Sequence, residues 1–126
     1  WHLPTDEEWK VLEGAVDSQY GIGDSNWDIN MDFRGYDAGT NLKTISGWSA
    51  IGNGTDLFGF SCLPGGDCDY DGGFNGVGFG GLFWTSSEYG SYAWYRSLSY
   101  DNPGVSRKNY HYGLMGYSFS VRCLRD

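Results

Sequence analysis

Tyr92-Ala93-Trp94-Tyr95-Arg96-Ser97-Leu98-Ser99-Tyr100 reads as a β-strand. Successive strand side chains point to opposite faces. Trp94, Arg96 and Leu98 therefore share one face, and Tyr95, Ser97 and Ser99 the other. Asp101-Asn102-Pro103-Gly104 follows as a turn signal. Val105 to Tyr112 reads as the returning strand of a hairpin. Gly116-Tyr117-Ser118-Phe119-Ser120-Val121-Arg122-Cys123 reads as a closing strand.

Working outward, the N-terminal end carries one well-signalled helix, placed at about residues 5–15. Thr5 to Glu8 form a capping box, with Thr5 as N-cap and Glu8 at the third helical position. Trp9, Leu12 and Val16 make one buried face, and Gly14 or a residue soon after stops the helix. From 17 to 60 the chain is mostly Asp-, Asn- and Gly-rich turns, with Tyr20, Trp27, Phe33, Tyr36 and Trp48 as single aromatic anchors. Asn41-Leu42-Lys43 admits a second short helix. Residues 58–88 read as short strands and tight turns without length. The expectation from these signals is a globular β-rich or loop-rich domain with one clear helix near its start.

The 126 residues are one domain's worth. Glycine at 21 positions and aromatics at 18% argue against a helical bundle, because glycine weakens helix interiors by about 1 kcal/mol relative to alanine. The net charge is -8, but it is uneven: residues 1–88 hold 14 acids and 3 Lys or Arg, whereas 89–126 hold Asp101 and Asp126 against Arg96, Arg107, Lys108, Arg122 and Arg125. An acidic protein lacks the basic footprint of a nucleic-acid binder. The expected surface is an acidic body behind a slightly basic face. No run approaches the roughly 20 apolar residues of a membrane span. The opening at Trp1 reads as that of an excised or processed piece of a longer chain.

Seven of the ten tyrosines fall between Tyr89 and Tyr117, among Ser, Asn, Gly and His. Rigid amphipathic rings beside small adaptable polar groups are the composition of an antibody-like paratope. Tyrosine also has high β-propensity, so part of the set is ordinary strand sequence.

Asp67, Asp69 and Asp71 open like a calcium loop, Asp67-Cys68-Asp69-Tyr70-Asp71-Gly72. An EF-hand needs a bidentate acid at loop position 12, and that position is Gly78. Calcium held some other way is the one cofactor these oxygens admit; the alternative is a turn using Asp for backbone hydrogen bonds. Catalytic patterns are missing. No Gly-x-Ser-x-Gly elbow occurs, only His2 and His111 are present, and the Gly-rich run 72–81 lacks the Lys-Ser/Thr of a phosphate loop. The expectation is not an enzyme.

Six ordered blocks carry a resemblance: Trp1-His2-Leu3-Pro4-Thr5-Asp6-Glu7-Glu8-Trp9, Gly59-Phe60-Ser61, Leu63-Pro64-Gly65-Gly66, Phe83-Trp84-Thr85-Ser86-Ser87-Glu88, Ala93-Trp94-Tyr95-Arg96 and Phe119-Ser120-Val121-Arg122-Cys123-Leu124-Arg125. Together they resemble the Fibrobacter succinogenes major paralogous domain over essentially the whole chain. That family is similar to the formylglycine-generating-enzyme-like branch of the C-type lectin fold and to the variable proteins diversified by retroelements. The resemblance implies an α+β, C-type-lectin-like fold with few regular elements, one clear N-terminal helix, short antiparallel strands, long ordered loops and neighbouring termini. It implies a secreted or cell-surface setting in a bacterium, as a module tethered in a larger adhesin-like protein. It also implies a displayed stretch over 89–112, with Trp94, Arg96, Leu98 and Val105 as framework. Tyr89, Ser91, Tyr92, Tyr95, Ser97, Ser99, Tyr100, Asn102, Ser106, Asn109, Tyr110, His111 and Tyr112 fall at its variable-looking positions. The expected function is ligand recognition, of a protein or a glycan, through that stretch. The alternatives are a self-assembling or structural module and, third, a formylglycine-generating-type enzyme, for which the reactive cysteine pair is missing: only Cys123 lies in that region. The Glu-Pro-Asn and Gln-Pro-Asp tripeptides of calcium-dependent sugar binding are also absent.

Cys123 matches the family's C-terminal cysteine, whose usual partner precedes the Trp-His-Leu-Pro block. Cys62 and Cys68 stand where the family usually has alanine and arginine. Two such cysteines appearing together are expected to bond to each other in an oxidising compartment.

Overall fold

The structure, a computed structural model, describes residues 1–111 and 116–126, the side chain of His111 excepted. Tyr112 lies outside the described residues. The architecture is mixed helix and antiparallel sheet, the α+β class expected. Helix α1 spans Asp6–Val16, and a 3₁₀ turn spans Ser25–Asp28. Strand β1 is Asp32–Arg34, and α2 is Ala38–Leu42. Then come β2 (Asp67–Cys68), β3 (Phe74–Asn75), β4 (Gly80–Tyr89), β5 (Tyr92–Ser99) and β6 (Val105–His111). The main sheet has the order β1-β6-β5-β4, and β2 and β3 form a second, two-stranded sheet.

Helix α1 begins where the capping box requires. Thr5 Oγ1 accepts from the Glu8 amide at 3.1 Å, and Glu8 Oε2 accepts from the Thr5 amide at 2.8 Å. Gly14 does not end the helix. A Cβ there would lie 2.7 Å from the Ile22 backbone, so the glycine serves close approach of the following loop. The helix stops instead at Asp17, whose carboxylate organises that loop. Its Oδ1 accepts from the amides of Gln19 and Tyr20, and its Oδ2 from those of Tyr36, Asp37 and Ala38. Burial opposes ionisation of Asp17, but the backbone donors outweigh it and hold its carboxyl below the ordinary range.

The core gathers Trp9, Val16, Trp27, Leu42, Trp48, Phe83, Leu98 and Val105, with Leu12 and Tyr20 packed at its edge. Of the expected anchors, Trp27 and Trp48 are buried, whereas Tyr36 is 59% exposed and anchors nothing. Strand β5 alternates as its sequence demands, with Trp94, Arg96 and Leu98 buried and Ala93, Tyr95, Ser97 and Ser99 half-buried. Strand β4, at ten residues, is the longest strand among the described residues, and it corrects the expectation of regular structure without length over 58–88. Its pairing with β5 is irregular between Trp84 and Glu88. There the Ser87 hydroxyl accepts from the Asp6 amide at 2.9 Å, and the Ser86 amide donates to Pro4 O at 2.8 Å. The irregularity seats the start of α1 on the sheet.

The expected closing strand over 116–123 is only a set of bridges. Ser118 pairs with Cys68, Ser120 with Phe83, and Leu124 with His2. The last of these brings the two ends of the chain side by side. No described helix is long and apolar enough to cross a membrane.

The expected Cys62–Cys68 disulfide is not formed; all three cysteines are free thiols. Cys62 is buried between α2 and the sheet, where a Cβ on Gly81 would lie 2.8 Å from its sulfur. Cys68 is held in the second sheet, opposite Phe74 and Ser118. Burial pushes the Cys62 thiol up to about 12. Thiol titration of unreduced protein is therefore expected to count three, with Cys123 fast and Cys62 reacting only on unfolding. A count of one would restore the bond.

Candidate functional site

Of the thirteen positions expected to contact a ligand, those whose side chains are described do not form one surface. Tyr89, Ser91 and Tyr92 sit exposed at the tip of the β4–β5 hairpin. Tyr95, Ser97 and Ser99 lie on the outer sheet face, and the register β5–β6 puts Tyr110 beside them, opposite Ala93. Tyr100 and Asn102 lie at the far end, in the β5–β6 turn, where Tyr100 packs edge-on against Phe79 at 5.1 Å. The register also places Asn109 opposite Trp94 and His111 opposite Tyr92. Ser106 is fully buried, its Oγ without a hydrogen-bond partner among the described residues, so a ligand at the surface does not reach it.

The outer face carries a continuous run of rings. Trp84 stacks on Phe119 at 4.3 Å and meets Tyr95 at 5.9 Å. Tyr95 meets Phe119 at 4.9 Å, Tyr117 meets Tyr110 at 5.1 Å, and Tyr70 meets Tyr117 at 6.4 Å. These separations and tilts are those of favourable aromatic pairs. Trp84, Tyr95, Tyr110, Tyr117 and Phe119 are half-buried, and Tyr70 is exposed. Sequence reasoning missed Trp84, Phe119 and Tyr70. The strand period points to Trp84, which pairs directly with Tyr95, but nothing local announces Tyr70. Burial, then the neighbouring Tyr110, pushes the Tyr95 phenol above its ordinary value, so it stays a neutral donor near pH 7. Desolvation and Tyr110 do the same for Tyr117.

The opposite sheet face is where the charges go. Arg96 donates from Nε to Glu13 Oε1 at 2.5 Å and from Nη1 to Asp6 Oδ1 at 2.8 Å. Arg107 reaches Asp6 Oδ2 through Nη2 at 2.6 Å and lies 3.9 Å over the Trp94 ring. Arg34 pairs with Glu13 Oε2 and the Trp27 carbonyl. These five charged groups are all buried. Asp6 and Glu13 sit on the Trp9–Val16 stripe of α1, so helical spacing marks them as inward-facing. The slightly basic face expected over 89–126 is corrected accordingly: Arg96 and Arg107 are consumed inside. Burial lowers Arg34 to about 10.

Burial also opposes ionisation of Asp6, but Arg107 and Arg96 outweigh it and bring the carboxyl to about 2 from 3.8. A carboxyl depressed in the folded state stabilises fully above its unfolded value and loses that contribution as pH falls through the folded one. Stability is therefore expected to fall between about pH 4 and pH 2, and Asp6→Asn to flatten the urea-midpoint profile in that window. Asp17 acts in the same direction; full burial pushes Glu13 the other way.

Asp67, Asp69 and Asp71 do not converge on an ion position. Asp69 Oδ1 accepts from the Gly73 amide at 2.9 Å, Asp69 Oδ2 from Asn75 Nδ2 at 2.8 Å, and Asp71 Oδ1 from Gly73 at 3.0 Å. Among the described residues no group of three or more such side chains is arranged to hold a metal. The carboxylates of Asp69 and Asp71 thus serve the turn around Gly73.

No curated protein and no solved structure matches the chain. The family model for the Fibrobacter succinogenes major domain matches residues 1–125, nearly the whole chain. Four of the six sequence blocks fall at the helix cap, the β4 irregularity, the buried face of β5 and the C-terminal bridges, the other two lie in the loops before β4, and on that match the chain belongs to the Fibrobacter succinogenes major domain family.

Proposed function

We propose that the chain is an extracellular or cell-surface recognition module of a bacterium, binding a protein or glycan through the outer face of its main sheet on a C-type-lectin-like scaffold. The observation that carries this reading is the aromatic run Trp84–Phe119–Tyr95 and Tyr110–Tyr117–Tyr70. The solvent side of an antiparallel sheet is ordinarily polar. Contiguous rings with phenol hydroxyls there suit a hot-spot surface, which favours tyrosine and tryptophan. Lys108, close to Phe33, and Asp67, near Tyr95, supply charges of both signs beside it.

The reading is of a binder rather than a catalyst. The strongly shifted carboxyl, Asp6, lies inside the scaffold in arginine pairs, where structural pairing explains the shift. An array of immobilised polysaccharides and extracellular-matrix proteins tests the reading. The chain should bind at least one class, and Tyr95→Ala/Tyr110→Ala should lose that signal about tenfold or more while keeping its fold. Equal signals from both proteins would reject the surface.

An assembly role is the second reading. Its observation is the exposed apolar set Leu57, Phe58, Leu63, Phe74, Val77 and Phe79 in β3 and the loops before β4. Sedimentation that is independent of concentration would count against it.

A further inference from the structure

A cleft of about 350 Å3 lies between α1, the loop at Phe58–Phe60 and the C-terminal segment, and it shares no residue with the aromatic face. Its aromatic part is Trp9 and Phe60, whose rings meet edge-on at 5.9 Å, with Leu12 and Phe58 beside them. Arg122 lies 4.5 Å over the Phe60 ring, and Arg125 also lines the cleft. In a protein of net charge -8, this is two cations on one small opening.

Neither arginine has an ion-pair partner among the described residues, in contrast to Lys10, Arg34, Arg96 and Arg107. The cleft's carboxylate, Glu8, is already engaged: Oε1 with His2 Nε2 at 2.9 Å, and Oε2 with the amide and hydroxyl of Thr5. Asp56, another acid of this region, is occupied by Ser61 through both oxygens. Trp9 is 2% exposed, and its Nε1–H has no acceptor among the described residues. A buried donor without a partner is uncommon in a folded protein and calls for an explanation.

Apolar walls with a few convergent polar groups are the usual make-up of a small-ligand site. Here Glu8 is engaged by His2 and Thr5, and the charged groups left without an ion-pair partner among the described residues are the cations Arg122 and Arg125. We infer that the cleft binds a small carboxylate with an apolar body, of the size of an aromatic amino acid. The carboxylate pairs with Arg122 and Arg125, whose guanidinium geometry suits it, and the body packs against Phe60 and Phe58. Either a free aryl carboxylate or the C-terminal residue of a peptide carries that chemistry.

NMR titration of the folded chain, following the Trp9 indole resonance, tests it. The probes are 3-phenylpropionate, 3-phenylpropanamide, and a short peptide ending in phenylalanine as free acid and as amide. Each acid is expected to bind about tenfold or more tighter than its amide, since bonds to charged groups exceed neutral ones by that margin. If the peptide acid outbinds phenylpropionate, the source is a chain end; the reverse order points to a free small molecule. Arg122→Gln/Arg125→Gln should erase the acid preference without changing amide binding, and Arg122→Lys should keep part of it. Tyr95→Ala/Tyr110→Ala should leave acid binding intact, which separates this site from the aromatic face. Equal affinities for acid and amide, acid binding that survives loss of both arginines, or saturation with none of the probes would overturn the inference.

Discussion

Replacing Arg96 by methionine is expected to destabilise the protein by about 3–5 kcal/mol, a large part of the roughly 5–15 kcal/mol that a domain of this size has to lose. Methionine conserves much of the volume, so the loss reports charge. Arg96 is fully buried and touches Glu13, the Asp6 carboxylate and the Asp6 carbonyl. Without it Glu13 keeps only Arg34, and Asp6 keeps Arg107 and the more distant Lys10. Two buried carboxylates then lack donors they were solvated by, which is the expensive way to break such a network. The same side chain ties α1 to the centre of the sheet, so unfolding should remain cooperative but begin at much lower urea. Urea denaturation followed by tryptophan fluorescence measures it. Exposed Arg125→Gln, which touches none of these groups, is expected within about 0.5 kcal/mol of the parent. A midpoint for Arg96→Met equal to that of Arg125→Gln would refute the scaffold described above.

Gly39→Ala should also destabilise, by roughly 2–3 kcal/mol, although helix propensity alone favours alanine by about 1 kcal/mol. Gly39 lies within α2, and a Cβ there would stand 2.1 Å from Gly104 O and 2.7 Å from Pro103 O. Both obstacles are backbone. Neither can move freely, because Thr40 donates to Pro103 O at 3.0 Å, and a Cβ on Gly104 would in turn lie 2.5 Å from Arg34 O. The β5–β6 turn is thus wedged between α2 and β1. The melting temperature should fall by about 10 °C for a chain of this length. Gly21→Ala, with nothing within 4 Å of the added atom, should leave it nearly unchanged. An unchanged or raised melting temperature for Gly39→Ala would show that α2 and the turn are not in contact.

The strong local signals proved legible and the long-range ones did not. The capping box at Thr5–Glu8 and the alternation of Trp94, Arg96 and Leu98 follow from helix and strand geometry, and both appear where that geometry puts them. Burial of Asp6 and Glu13 was latent in their spacing with Trp9 and Val16, but their partners Arg34, Arg96 and Arg107 are 21 to 101 residues away and no local pattern names them. The closing segment looked like a strand because Tyr117, Phe119 and Val121 alternate with polar residues. It forms only bridges, since it crosses from β2 to β4 and has no single neighbour to pair with along its length. Cys62 and Cys68 are close in sequence, but Cys62 bridges Lys43 after α2 whereas Cys68 lies in β2, and closeness in sequence does not set sulfur geometry. The tyrosine-rich stretch divided because a hairpin sends its two ends to opposite limits of the sheet: Tyr89 and Tyr92 lie at one tip, and Tyr100 and Asn102 at the other.

The proposed recognition surface is the outer face around Tyr95 and Tyr110, rather than the whole stretch from 89 to 112. The most direct measurement is an NMR titration of the chain with the polysaccharide or protein selected on the array, following aromatic side-chain resonances. The outer-face assignment predicts that Trp84, Tyr95, Tyr110 and Tyr117 shift together and saturate together, while Tyr20 and Trp27, which pack on each other at 6.4 Å in the core, stay in place. Largest shifts at Tyr100, or none among the four outer-face rings, would contradict it.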